Sequence, residues 1–184
     1  SYCFITGNGN EEGNGGFDDV DNGKTTLYSP VFDLSSYETV LLTYWYWYTN
    51  NIGDNGGNDI WSVSVSNDNG FSWSDIQYTS SSNTDWENVQ LLLSDLIDLT
   101  ETVKFRFVAE DIAYNGDNGS GGSLVEAAID NFKLANITSN SGMVGDVNND
   151  EQLNVLDVVI VVNMILGLET QNYFTGDLNG DSQI

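Results

Sequence analysis

Thr39-Val-Leu-Leu-Thr-Tyr-Trp-Tyr-Trp-Tyr-Thr49 is the strongest strand signal in the chain, a run of β-branched and aromatic residues with no glycine or proline. Successive side chains of a strand point to opposite faces, so Leu41, Trp45 and Trp47 share one face, and Leu42, Tyr44, Tyr46 and Tyr48 share the other. Both faces call for cover. One becomes the core of a sandwich, and the other must meet a loop, a ligand or another subunit. The expectation is that the tryptophan face is the core. Tyr44, Tyr46 and Tyr48 are then the candidate ligand or assembly face.

Outward from this strand the same period continues. Ile60-Trp-Ser-Val-Ser-Val-Ser66 sends Trp61, Val63 and Val65 inward and its serines outward, Asn67-Asp-Asn-Gly70 reads as a turn, and Phe71-Ser-Trp-Ser-Asp-Ile76 returns as a hairpin. Tyr2–Thr6, Thr25–Pro30, Trp86–Leu93, Thr102–Ala109 and Ser123–Leu134 read as further strands, joined by connections rich in Gly, Asn, Asp and Ser. About eight strands without helical periodicity before residue 140 predict an all-β sandwich or jelly roll over residues 1–137. Residues 138–142 then form a linker, and 143–184 a small helical calcium module.

Composition narrows the function classes. The 184 residues carry 28 Asp and Glu against 4 Lys and Arg, a formal net charge of −24. Phosphate contacts need cations, so nucleic-acid binding is excluded, as is a basic membrane patch. With no His there is no Ser–His–Asp or Cys–His arrangement and no histidine-bound catalytic metal. Glu110/Asp111 and Glu126/Asp130 are the carboxylate pairs a glycosidase would need, but nothing marks either pair above the acidic background, and the chain reads as non-catalytic. The single Cys3 is either a buried small residue or has its partner in chain outside this sequence. With no initiating Met, leader or membrane-spanning run, Ser1 reads as the start of a processed or excised segment.

Asp146-Val-Asn-Asn-Asp-Glu-Gln-Leu-Asn-Val-Leu-Asp157 places oxygen side chains at positions 1, 3, 5, 9 and 12 through Asp146, Asn148, Asp150, Asn154 and Asp157. Gln152 at position 7 offers its backbone carbonyl. Such an all-oxygen set suits Ca²⁺. Position 6 is Glu151 where an EF-hand has Gly, and position 12 is Asp where it has Glu. A short apolar run, Val158–Leu166, follows as a packed helix with a Gly167 stop. Gly176-Asp-Leu-Asn-Gly-Asp-Ser-Gln-Ile184 then repeats the loop's opening, with Asp177, Asn179 and Asp181 as ligands and no position 12. These duplicated loops resemble the dockerin type I module of secreted bacterial proteins. The resemblance implies calcium, an extracellular location and a cohesin partner, with the second loop incomplete.

Upstream, Leu27-Tyr-Ser-Pro-Val-Phe-Asp-Leu34, Tyr44-Trp-Tyr-Trp47, Asn58-Asp-Ile-Trp61, Val65-Ser-Asn-Asp-Asn-Gly70, Arg106-Phe-Val-Ala-Glu-Asp111 and Val125-Glu-Ala-Ala-Ile-Asp130 resemble the MAM-like, galactose-binding-type jelly rolls of large secreted bacterial proteins. Those are accessory modules. The likeness implies a structural Ca²⁺ joining Asp19 or Asp21 to Glu126 or Asp130; the alternative for Asp18, Asp19 and Asp21 is a solvated acidic loop. Asn118-Gly-Ser120 and Asn136-Ile-Thr138 are formal glycosylation sequons. The favoured expectation is a calcium-stabilised extracellular subunit that polymerises with copies of itself through strand addition or aromatic contacts. The alternatives are a carbohydrate-binding accessory module, with tyrosines stacking on sugars, and dockerin-borne cargo docking to a cohesin.

Overall fold

The computed structural model of the chain describes residues 3–7, 19–113, 122–137, 145–148 and 150–168. The chain divides into two compact units, Ser1–Asn136 and Ile137–Ile184. Asn118, Asp177, Asn179 and Asp181 lie outside the described residues, as does the whole of the expected linker, 138–142.

The first unit is a β-sandwich. Its strands are β1 (Phe4–Ile5), β2 (Gly23–Tyr28), β3 (Val40–Thr49), β4 (Trp61–Ser66), β5 (Ser74–Thr79), β6 (Asn83–Leu92), β7 (Lys104–Asp111) and β8 (Glu126–Asn136). Two four-stranded antiparallel sheets result, one in the order β1-β8-β3-β6 and the other β2-β7-β4-β5. The aromatic stretch Thr39–Thr49 supplies β3, held on both sides by β6 and β8.

Its orientation corrects the expectation. Tyr44 and Tyr48 are 0 % exposed and Tyr46 6 %, whereas Trp45 is 40 % exposed on the other face. Tyr44, Tyr46 and Tyr48 are therefore core residues and no ligand or assembly face. The physical reason lies in their neighbours along the strand. Val40 and Leu42 extend the tyrosine side into an unbroken apolar stripe, while the tryptophan side is interrupted by Thr43. Two of the three hydroxyls also find partners: Tyr44 Oη donates to Gln77 Oε1 (2.8 Å) and Tyr46 Oη to Glu87 Oε2 (3.0 Å). A buried phenol is tolerated when it is so bonded. Burial holds all three phenols above their ordinary ionisation range, Tyr46 to about 12.

The opposite sheet completes this core as its alternation predicts. Trp61, Val63 and Val65 of β4 point inward with Phe105, Phe107 and Ala109 of β7. The Trp61 ring stacks on Tyr46 at 5.8 Å and donates Nε1–H to Gln77 at 2.9 Å, so one glutamine carbonyl ties both sheets together. Ser64 and Ser66, expected in water, are also buried: Ser64 Oγ accepts from Arg106 Nε, and Ser66 Oγ accepts the Asp68 and Gly70 N–H groups of the following turn.

β1 is only Phe4–Ile5, and it pairs with Ile129 and Ala128 of β8 within its own sheet. The N-terminal strand thus fills an edge of its own sandwich, which removes the basis for expecting it in a neighbour's. Cys3 is exposed, not buried.

In the second unit, α1 (Val155–Ile165) starts from a reciprocal cap. Asn154 Oδ1 accepts from the Leu156 N–H and Asp157 Oδ2 accepts from the Asn154 N–H, both at 2.8 Å. Gly167, with φ of 69°, follows the last turn in the left-handed conformation that ends helices. Among the described residues no helix is long and apolar enough to cross a membrane.

Candidate functional site

The register of β3 with its neighbours builds an open face from the tryptophan side. Trp45 pairs with Asn88 of β6 and Asp130 of β8, Thr43 pairs with Gln90 and Lys133, and Trp47 pairs with Ala128. Alternation along β6 places Trp86 on the same face as Asn88. Trp45 and Trp86 are 40 % and 41 % exposed, and Trp47 is half-buried. None of the ring-on-ring contacts among the described residues involves these three indoles. Asn88 is fixed by donating Nδ2–H to the Tyr44 carbonyl (3.3 Å), and Gln90 Nε2 donates to Asn88 Oδ1 (2.6 Å). Flat apolar rings beside oriented amides can stack on the C–H face of a sugar and bond its hydroxyls. The sequence was read with the tyrosine side outward; the structure turns the tryptophan side outward instead, and Thr43 on that side was the signal.

At one end of the sandwich the chain gathers buried carboxylates. The Val20 N–H donates to the Val125 carbonyl at 2.9 Å, which sets Asp19 beside Glu126. Asp111 ends β7 opposite Gly23 and is wholly buried, held weakly by the Asn22 and Gly122 N–H groups at 3.4 Å. Asp59, 1 % exposed, accepts the Ile112 and Ala113 N–H groups on Oδ1, both at 2.9 Å. Its Oδ2 and both carboxylate oxygens of Asp19 are buried with no hydrogen-bond partner among the described residues. Burial raises the Asp19 carboxyl above its usual range, helped by the charges of Asp21, Asp111 and Glu126. Burial and the charge of Asp59 do the same to Asp111. Of the four residues expected here, Asp19, Asp21 and Glu126 come together. Asp130 does not join them: it sits further along β8, opposite Trp45. Asp59 and Asp111 were not among the acidic residues expected here, although both lie in stretches singled out for their resemblance, because only the sheet pairing brings strand ends from distant sequence to one place.

In the loop of the second unit, Asp146 is 1 % exposed and accepts N–H bonds from Asp150 (3.0 Å) and Glu151 (2.8 Å). Glu151, at position 6, has φ of 64°, the left-handed turn for which an EF-hand uses Gly. Asp157 Oδ1 accepts the Val147 N–H at 2.9 Å. The N–H groups of Asn154, Asn148 and Val147 hold its carboxyl below the usual range. Asn148 Nδ2 donates to Asp150 Oδ2 at 2.9 Å, while the Gln152 and Asn154 side chains are exposed at the loop's rim. The turn at position 6 and the all-oxygen donor set fit a hard cation. The orphaned oxygens of Asp19 and Asp59 fit one too. Among the described residues, however, no three carboxylates are gathered tightly enough to hold a metal ion as they stand. Asn136 is exposed at the end of β8.

No family model matches the chain, and no curated protein matches it. Among solved structures it is similar to a family 61 carbohydrate-binding module in complex with β-1,4-galactotriose, at 14 % identity and a TM-score of 0.33, covering 65 % of this chain and 68 % of that one. It is also similar to a family 16 carbohydrate-binding module, at 12 % identity and a TM-score of 0.34, covering 63 % of this chain and 72 % of that one.

Proposed function

We propose that the sandwich is a non-catalytic, extracellular carbohydrate-binding module that takes a polysaccharide chain across the outer face of β6, β3 and β8. The observation that carries this reading is the outward set Trp45, Trp47 and Trp86, unstacked on one another and flanked by the fixed amides of Asn88 and Gln90. Self-assembly through tyrosine contacts loses its footing, since those rings are inside, and glycan binding, the alternative drawn from the sequence, takes its place. Calcium belongs to the same proposal in a supporting role. Asp146, Asn148, Asp150, Gln152, Asn154 and Asp157 would hold one ion, and Asp19, Asp59, Asp111 and Glu126 another. Bound there, Ca²⁺ supplies charge neutralisation and rigidity and takes no part in any reaction.

A sugar ring stacked on one indole hides roughly 60 Å² of apolar surface, about 1.5 kcal/mol or about tenfold in affinity. The test is affinity electrophoresis through gels containing β-1,4-galactan, glucomannan or xylan. The parent chain is expected to be retarded by at least one of them, and Trp45→Ala/Trp86→Ala to lose most of that retardation while remaining folded and unfolding cooperatively. Free migration of the parent in all three gels, or retardation untouched by the double change, would remove the proposal.

A further inference from the structure

The opposite side of the sandwich carries a second surface of different chemistry. By register, the outer face of the β2-β7-β4-β5 sheet presents Lys24, Lys104 and Arg106, three of the 4 cations in the whole chain. The carboxylates facing out with them are Glu110, opposite Lys24, and Asp75, opposite Ser64. Three cations against two carboxylates leave this face net positive in a chain of formal charge −24. Lys24 is spent on Glu110, at 2.7 Å. Arg106 and Lys104 form no ion pair among the described residues, although 28 acids are available to the chain.

Arg106 is nevertheless held. Its Nε donates to Ser64 Oγ at 3.1 Å, and that hydroxyl donates in turn to Asp75 Oδ1 at 2.7 Å. The guanidinium carbon lies 4.6 Å from the centre of the Trp73 ring, and Trp73 is itself fixed by donating Nε1–H to the Gly70 carbonyl at 3.0 Å. The Tyr28 ring stands 6.0 Å from Trp73, with the Lys104 ammonium 5.0 Å over it. Tyr28 and Tyr78 remain 53 % and 66 % exposed. A guanidinium anchored through Nε and through its π-face keeps its Nη donors for a partner, already in the planar fork that matches a carboxylate or sulfate. The neighbouring ammonium adds a point charge, and the tyrosines add ring faces for stacking.

We infer that this face is a second binding site, for an anionic saccharide whose carboxylate or sulfate group sits on Arg106 and Lys104 while its ring lies against Tyr28. The chain's overall negative charge does not cancel this contact. Screening confines distant charges to about 8 Å at physiological ionic strength, whereas the fork and its anion meet directly.

The experiment is isothermal titration of the full chain, in saturating Ca²⁺, with hexagalacturonate as the carboxylate probe and dextran sulfate as the sulfate probe. At least one is expected to bind, and the arm that does identifies the anion. Lys104→Gln should weaken that binding at least tenfold. Arg106→Lys, which keeps the charge and loses the fork, should weaken it by a similar factor. Lys104 is a half-exposed side chain, so Lys104→Gln tests the site even if Arg106 variants misfold. Trp45→Ala/Trp86→Ala should leave the acidic probe's affinity unchanged, which separates this site from the proposed neutral-glycan face. Absence of heat with both probes, an affinity indifferent to Lys104→Gln, or an affinity that falls only with the tryptophan pair would overturn the inference.

Discussion

Truncating Tyr44 and truncating Trp45, adjacent residues of one strand, should have very unequal consequences for stability. Tyr44 is fully buried, its ring meets Phe107 edge-on at 5.5 Å and Tyr46 at 6.4 Å, and its hydroxyl is bonded to Gln77. Replacing a buried aromatic with Ala costs about 3–5 kcal/mol in lost transfer energy and residual cavity. That is a large part of the roughly 5–15 kcal/mol by which a domain is stable. Tyr44→Phe removes only the hydroxyl, and Gln77 Oε1 keeps its bond from Trp61, so the cost should be about 1 kcal/mol. Trp45 is 40 % exposed on the outer face, and its loss should cost no more than a cross-strand pair, about 0.2–1 kcal/mol. The assay is urea unfolding followed by tryptophan fluorescence. All 5 tryptophans lie between positions 45 and 86, so the signal reports on the sandwich alone. The expected order of destabilisation is Tyr44→Ala, then Tyr44→Phe, with Trp45→Ala near or below the latter. A Trp45→Ala variant as unstable as Tyr44→Ala would mean that the tryptophan face is the core after all, and the glycan face would fall with it.

Calcium should stabilise both units: at 100 times its dissociation constant a ligand adds about 2.7 kcal/mol. Asp146→Ala should abolish the calcium-dependent shift of the second unit only, and Asp111→Asn that of the sandwich only; a melting curve in excess EGTA that overlays the one in millimolar Ca²⁺ would refute both sites. In EGTA, Asp111→Asn should melt above the parent, because it removes a buried charge facing Asp59. Alkaline pH should weaken the sandwich: Tyr46 ionises near 10 in the unfolded chain and near 12 in the fold, so its contribution is complete below pH 10 and lost as pH rises through about 12. Fluorescence-monitored stability that stays flat across that window would contradict the buried phenols.

The sequence by itself determined the class of the fold, because strand periodicity and turn residues are local properties. Thr39–Thr49, the alternation of Trp61, Val63 and Val65, and the glycine- and asparagine-rich turns specify antiparallel strands whatever they pair with. It also determined the oxygen spacing of 146–157, since side chains from one short loop need no distant partner to come together. Which side of β3 faces inward was only hinted at in the sequence, by Thr43 on the tryptophan side, and was decided in the tertiary structure. Both sides are aromatic, and the choice rests on what the second sheet offers across the gap: Trp61 to stack on Tyr46, and Gln77 to bond Tyr44. The pairing of Asp19 with Glu126, and of Asp59 with Asp111, likewise depends on strand ends that meet only when the sheets form. So does the escort of Arg106 by Ser64 of β4 and by Trp73 just before β5, which lie beside β7 in space and not in sequence. A face made by register across a sheet cannot be read from any one strand, since each strand states its own alternation and not which neighbour completes it.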